Sequence, residues 1–318
     1  MYNYHMGQNG KIRLYIAGLA AILLIAATIA TVMVLRLKGN GDGQQEEPAT
    51  PSGTVELSAM DPVEVQQTAG TDSQGSSSEG TDYSSYPLNN AADCQAVIDA
   101  YAAEHGIDPF AYPVDISNLL LNNHETLDLV LHYPEYAGSQ DGADYPGTID
   151  LTGDYTSVRV PEYYQYDLRW GYKTYSGNIM AITGGGPTAL SMVASYLMNN
   201  RDMNPAWMAS YSENNGYSME GGTSWSLMAD GAVGLGIDVT PITADQNRIE
   251  RNLDVGNLVV CLMGPGDFTS TAQYIVIVGY NEEGYEIRDP GSRARTSVRW
   301  QYDTIAPQMQ GCWIMRIL

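Results

Sequence analysis

The residues best placed for a chemical role lie in the glycine-rich segment Thr183–Thr188, which leads into an apolar run. Pro187 falls in the first turn of a predicted helix, Pro187–Leu197, where proline is well tolerated. Free N–H groups and the helix dipole at such an N-terminus favour a carbonyl or carboxylate group. The candidate binding residues here are Gly184, Gly186 and Thr188.

In contrast, the C-terminal half of the chain lacks the pair of side chains that covalent catalysis requires. No histidine follows His132, so neither a Cys–His nor a Ser–His pair can form there. A nucleophile needs an adjacent base to activate it. Thr183 and Thr188 have no such base and are therefore interpreted as turn or cap residues. The segment indicates binding rather than bond cleavage.

The elements that must position this segment predict an α+β domain. Helices precede strands along the chain, and the strands are rich in Val and Ile, which favours a central antiparallel sheet. The predicted helices are Cys94–Glu104, His124–Leu131, Pro187–Leu197, Ser224–Leu235 and Asp245–Leu253. The predicted strands are Leu258–Met263, Tyr274–Gly279, Tyr285–Arg288 and Cys312–Ile317.

The N-terminal part predicts a membrane anchor. Leu14–Leu35 is a run of 22 residues without a charge. Roughly 20 apolar residues suffice for a transmembrane helix, whereas the apolar region of a cleaved signal peptide is usually about 7–15 residues long. We expect a retained signal anchor, with residues 1–13 as a cytoplasmic tail. The flanking basic residues tie at two on each side, and the shortness of the tail favours placing the rest of the chain outside the cytoplasm.

Charge and composition separate the remaining regions. The chain carries a net charge of −22, and no lysine or arginine occurs between Gly39 and Val158. This excludes a nucleic-acid partner, because phosphate neutralisation needs clustered basic residues. Residues 36–90, poor in large apolar side chains, are predicted to be a disordered linker. A helical lead-in, 91–158, and the principal domain, 159–318, complete the predicted organisation.

The three cysteines, Cys94, Cys261 and Cys312, do not form a metal-binding spacing. A disulfide between Cys261 and Cys312 and a pair of buried free thiols both remain open. Asp141 and Asp144 do not complete a calcium-loop signature. We therefore expect no metal site and no cofactor.

From Val160 onward the chain resembles papain-like cysteine peptidases related to the bacteriocin-leader-processing (C-thirty-nine-like) group. The resemblance implies a papain-like fold in which a nucleophile-bearing helix packs on the antiparallel sheet. Six elements carry it in order: Val160–Gly171, Gly184–Thr188, Gly222–Trp225, Phe268–Thr269, Ile275–Tyr280 and Asp289–Pro290.

The resemblance also assigns family roles to positions in this chain. The position of the nucleophilic cysteine is Gly185, that of the base is Gln273, and that of the orienting carboxylate is Asp289. Glycine has no side chain, and an amide cannot serve as a general base. Gln165 resembles a glutamine near the oxyanion site. Asp289 is interpreted as a turn residue ahead of Pro290 or as a partner for the Gln273 amide.

These residues predict a pseudopeptidase at the cell surface that binds a peptide or a cell-envelope partner in an inherited groove. An active hydrolase with unidentified residues and a structural surface adaptor are the alternatives. Trp225 is a further candidate binding residue, although its helical spacing with Met228 favours a core position.

Overall fold

The structure is a computed structural model that describes residues 81–136 and 149–317, which belong to one compact unit, Ser77–Leu318. The predicted anchor 14–35, most of the predicted linker, and Asp141 and Asp144 lie outside the described residues. Among the helices of the described ranges, none is both long and apolar enough to cross a membrane.

The lead-in region is a small helical layer with its own apolar core. Asn90 accepts hydrogen bonds from two N–H groups at the start of the first helix, and Gly106, with φ of 66°, ends it in the left-handed conformation. Cys94, Ile98 and Leu120 are buried in this core. The helices are α1 (Ala91–His105), α2 (Val114–Asn122), α3 (Leu127–Leu131) and α4 (Tyr133–Tyr136).

Order begins before the boundary predicted at residue 90. Residues Tyr83–Ser85 form a short 3-10 helix, and Asp82 accepts a hydrogen bond from the N–H of Ser84. Tyr86 and Leu88 pack against the lead-in core. The final ten residues assigned to the linker are therefore part of the folded body, because their apolar side chains have a surface on which to pack.

The principal domain contains a six-stranded antiparallel sheet, whose strands lie side by side in the order Asp238–Ile242, Met309–Arg316, Leu258–Met263, Gln273–Asn281, Gly284–Arg288 and Arg299–Trp300. Every residue of its central strand Leu258–Met263 is buried, as its unbroken apolar run requires. The strands are β5 (Asp238–Ile242), β6 (Leu258–Met263), β7 (Gln273–Asn281), β8 (Gly284–Arg288), β9 (Arg299–Trp300) and β10 (Met309–Arg316). Two hairpins precede it: β1 (Thr174–Tyr175) with β2 (Asn178–Ile179), and β3 (Ser218–Met219) with β4 (Gly222–Thr223).

One buried helix packs on this sheet, and it begins at Gly185 rather than at the predicted Pro187. Gly185–Ser195 are all buried, and Leu190 and Val193 share an apolar core with Val260 and Val276 of the sheet. The helices of this domain are α5 (Met180–Thr183), α6 (Gly185–Leu197), α7 (Pro205–Asn214), α8 (Asp230–Gly234), α9 (Gln246–Leu253), α10 (Arg293–Thr296) and α11 (Tyr302–Ile305).

The predicted α+β class with an antiparallel sheet is confirmed, but several elements differ. The predicted helix Ser224–Leu235 is a 3-10 turn, Trp225–Leu227, followed by the short α8. The break falls at Met228 and Ala229, ahead of the glycines at 231 and 234, which lie within α8. The helix α2 and the edge strands β5 and β9 were not predicted. The edge strands have only a weak sequence pattern, because they are stabilised by pairing with a neighbouring strand rather than by alternating apolar residues of their own.

The cysteines are buried free thiols, which decides between the two alternatives for Cys261 and Cys312. These two residues are directly paired in the register of β6 and β10. Contact with Cys312 and burial raise the pKa of Cys261 well above its ordinary value. Burial likewise raises the pKa of Cys94. Each of these two thiols is protonated near neutral pH.

Candidate functional site

Gly185 lies at the N-terminus of α6, directly after the cap residue Gly184, and it is buried. A Cβ atom placed on Gly185 would lie 2.3 Å from Oε1 of Gln273 and 3.1 Å from Oε1 of Gln165. Real Cβ atoms do not approach other atoms as closely as the first distance. The Gln273 amide therefore occupies the volume that a side chain at position 185 would need.

Gln273, the first residue of β7, is held in this place by hydrogen bonds. Its Oε1 accepts from the backbone N–H of Tyr274 at 3.0 Å. Its Nε2 donates to Oε1 of Gln165 at 3.2 Å and to Oδ1 of Asp289 at 3.5 Å. Gln165 is fixed in turn, because its Nε2 donates to the carbonyl oxygen of Ala181 at 2.8 Å. The two amides form a connected polar layer in front of α6.

Asp289 completes this layer from beneath. Its side chain is fully buried and pairs with Nε of Arg295 at 2.5 Å, while Oδ1 accepts the N–H of Gly291 at 2.7 Å. Burial raises the pKa of Asp289, although Arg295 and the Gly291 N–H act in the opposite direction. The carboxyl group of Asp289 is thus already bonded to Arg295 and to the Gly291 N–H. Both interpretations of Asp289, as a turn residue and as a partner of Gln273, agree with these contacts.

The structure brings together all four positions that the resemblance assigned: Gly185, Gln273, Asp289 and Gln165. Gly185 contributes no side chain, Gln273 supplies an amide, and Asp289 is already paired. No proton acceptor of suitable basicity stands beside a nucleophile among these side chains. The arrangement can hold a carbonyl or an amide by hydrogen bonds, which is the chemistry its groups provide.

Gly185, Gln165 and Gln273 line a cleft of about 920 Å³, whereas the buried Asp289 is not one of its lining residues. The volume lies in the range of ligand-binding sites in proteins. The lead-in region and the principal domain each supply part of the wall. Its lining residues include Asp115, Asn118, Leu119, Asn122, Gln165, Gly185, Gly186, Glu220, Gly222, Thr223, Trp225, Asp267, Gln273, Tyr274 and Arg295.

Of the candidate binding residues, Gly186 and Trp225 line the cleft, whereas Gly184 and Thr188 are not among its lining residues. Thr188 is a fully buried interior residue of α6, so its interpretation as a cap or turn residue is wrong. Gly184 takes the cap position instead. A Cβ on Gly186 would come within 2.5 Å of Oγ1 of Thr223, so glycine there permits close packing of helix and hairpin.

The core position favoured for Trp225 by its spacing is also wrong. Trp225 is 55% exposed, whereas Met228 is fully buried. Its ring packs edge-on against Trp313. The segment is not a continuous helix, so the helical spacing that favoured a core position does not apply.

Sequence reasoning missed the contribution of α2 and of Tyr274 to the cleft. Asp115, Asn118, Leu119 and Asn122 recur at helical spacing and lie on one face of α2. The polar residues of this face lie opposite the buried Ile116 and Leu120. This division into a polar and an apolar face was the sequence pattern that could have predicted the helix.

Thr183, the other threonine without a base, is not a nucleophile candidate in the structure. Its hydroxyl donates to the carbonyl oxygens of Tyr175, at 2.8 Å, and Ile179, at 3.1 Å. The side chain therefore secures the turn that precedes α6.

The sequence was compared with known families and proteins. A sequence model of the Peptidase_C39 like family matches residues 158–316, half of the chain. No curated protein matches the sequence.

Two solved structures are similar. One is the peptidase domain of Streptococcus ComA, a bi-functional ABC transporter involved in quorum sensing, at 20% identity, covering 42% of this chain and 92% of that domain with a TM-score of 0.35. The other, from Bacillus anthracis, is described as a C39-like peptidase, at 14% identity, covering 51% of this chain and 96% of that one with a TM-score of 0.34. The family assignment rests on the family model.

Proposed function

Because the chain belongs to the Peptidase_C39 like family, we propose that it is a non-catalytic member that binds a peptide in its cleft. The observation that carries this proposal is the Gln273 amide, which fills the side-chain volume at position 185. In this proposal position 185 is the place of the family's nucleophile, and the hydrogen-bonded Gln273 amide fills that place.

The remaining chemistry of the domain supports the same conclusion. Covalent catalysis needs a nucleophile and a base in contact. No histidine lies in residues 159–318, and both cysteines of this domain are buried within the sheet. The raised pKa of Cys261 keeps its thiol protonated and hence unreactive.

Peptide binding is supported by what the site keeps. Gly185 and Gly186, in the first turn of α6, line the cleft beside the Gln165 and Gln273 amides, and N–H groups at such a helix start lack acceptors within the helix. Such N–H groups favour a peptide carbonyl oxygen. The exposed ring of Trp225 offers a surface on which a side chain of the peptide can pack.

Filling the cleft is expected to abolish peptide binding. Gly222 lines the cleft and a Cβ there meets no atom within 4 Å, so Gly222→Trp should occupy the cleft without straining the fold. We expect wild-type protein to retain members of a synthetic peptide mixture uncleaved, as read by mass spectrometry, and the variant to retain none.

The matched control is Gly153→Trp, at an exposed turn that is not part of the cleft lining and also has open space. It should bind as the wild type does. Stoichiometric labelling by a thiol-directed probe together with peptide cleavage would show an active hydrolase. Equal retention by both variants would indicate a surface adaptor whose cleft plays no part.

We further propose that residues 14–35 anchor the protein in the membrane with the folded domain outside the cytoplasm. The uncharged run of 22 residues supports this. Protease added to intact cells should release a fragment that contains the folded domain, detected with an antibody against it. Full protection in intact cells, with digestion after lysis, would reverse the orientation.

A further inference from the structure

The lead-in helix α2 forms a polar wall of the cleft. Asp115, Asn118 and Asn122 lie on the face of α2 that lines the cleft, and all three are exposed. The opposite face is buried in the lead-in core. Asparagine side chains carry both a donor and an acceptor, which suits the alternating N–H and C=O groups of an extended peptide main chain. The lead-in region therefore supplies binding surface to the principal domain.

Carboxylates reach the cleft from three separate parts of the fold. Asp115 lies on α2, Glu220 in the turn between β3 and β4, and Asp267 in the loop between β6 and β7. All three are exposed. Among the described lining residues only Arg295 has a basic side chain, and its Nε is bound to the buried Asp289. The open cleft is therefore negatively charged.

An independent feature indicates a missing polar partner inside the same cleft. Tyr274 lines the cleft but is only 5% exposed. Its hydroxyl has no hydrogen-bond partner within the described structure. Buried polar groups are nearly always hydrogen-bonded, so each exception calls for a physical reason. The hydroxyl is covered by neighbouring side chains, and a ligand carbonyl oxygen that displaced them would accept this hydrogen bond.

We propose, on the basis of the peptide-binding function above, that the cleft selects an extended peptide carrying lysine or arginine side chains. The carboxylates of Asp115, Glu220 and Asp267 surround the cationic side chains, and the Tyr274 hydroxyl donates to a main-chain carbonyl. The net charge of −22 adds a long-range attraction for such a peptide.

The test uses the full-length chain and three fluorescein-labelled peptides that differ only in having lysine, glutamine or glutamate at central positions. Binding is measured by fluorescence anisotropy. At low salt we expect the lysine peptide to bind about tenfold more tightly than the glutamine peptide, because a few exposed ion pairs each contribute modestly. The preference should decline as salt screens the charges.

Two sets of variants attribute the preference to the cleft. The combined variant Asp115→Asn, Glu220→Gln and Asp267→Asn should bind the lysine and glutamine peptides equally. The control combination, Asp202→Asn, Glu282→Gln and Glu283→Gln, removes the same charge at exposed residues that do not line the cleft and should keep the preference. Tyr274→Phe should weaken all peptides that bind by about fivefold, without changing the order of the charges.

The outcomes separate this inference from the function on which it rests. Equal binding of all three peptides, tightest binding of the glutamate peptide, or a preference that survives the cleft variant would overturn the selection of cationic peptides while peptide binding stands. A wild-type protein that binds none of the peptides would contradict the proposed function itself.

Discussion

Gly185→Cys, introduced alone, is expected to lower the free energy of unfolding by about 1 kcal/mol, the scale of one hydrogen bond, because the flexible Gln273 amide must turn away. The new Cβ would lie 2.3 Å from Oε1 of Gln273. That oxygen already accepts the N–H of Tyr274, so moving it breaks a hydrogen bond as well. Urea unfolding of the wild type and the variant measures the loss.

A double-mutant cycle isolates the steric cause of this loss. Gly185→Ala should destabilise the wild-type background but cost much less in a Gln273→Ala background, where the amide is absent. The interaction energy between the two sites should be at least about 1 kcal/mol. Purely additive effects would show that Gln273 does not compete for this volume.

The same geometry predicts how thiol reactivity depends on position 273. In Gly185→Cys/Gln273→His, an imidazole replaces the obstructing amide, and a nearby imidazolium and the N-terminus of α6 both favour the thiolate. We expect alkylation by iodoacetamide at neutral pH to be about tenfold faster or more than in Gly185→Cys alone. Equal rates in the single and double variants would contradict this expectation.

A second large effect is expected at Glu125, which joins the lead-in to the loop that carries Asp289. Its Oε1 accepts from the Ser292 hydroxyl at 2.6 Å and the Ala294 N–H at 3.1 Å. Its Oε2 accepts from the Tyr166 hydroxyl at 2.5 Å and the Arg293 N–H at 2.7 Å. Each carboxylate oxygen therefore faces one hydroxyl and one backbone N–H.

Glu125→Gln should lower the free energy of unfolding by about 2 kcal/mol, the scale of a hydrogen bond to a charged group. Whichever way the amide turns, its NH₂ group meets a backbone N–H that cannot become an acceptor. Urea unfolding at neutral pH measures the effect. The control Glu282→Gln, at an exposed turn residue, should change the stability by no more than about 0.5 kcal/mol.

The cost of Glu125→Gln should also depend on pH. Partial burial acts to raise the pKa of Glu125, but hydrogen bonds from Ser292, Tyr166 and two backbone N–H groups outweigh it and lower the pKa below the ordinary value of 4.5. A carboxyl group with a lowered folded-state pKa stabilises the fold fully above its unfolded pKa. The stability difference between wild type and variant should therefore be constant near neutral pH and shrink as the pH falls below 4.5. If the difference in unfolding free energy did not change with pH, the effect of Glu125→Gln would come from the geometry of the side chain and not from its charge.

The strongly patterned elements were predictable because their own residues specify them. The strands β6, β7 and β10 contain continuous apolar runs, and the helix α6 has few polar residues among its apolar ones. The edge strands β5 and β9 depend on pairing with neighbours. The exposed position of Trp225 depends on a break in its segment that the helical spacing did not reveal.

By itself, the sequence determined the α+β class, the resemblance to the family, the absence of histidine beyond His132, and the glycine and glutamine at positions 185 and 273. These are properties of residue type and order, which need no coordinates. Only the tertiary structure decided that the Gln273 amide fills the space beside Gly185 and that α2 and Tyr274 line the cleft. Those facts join residues far apart in the chain, and packing rather than local spacing sets the distances between them.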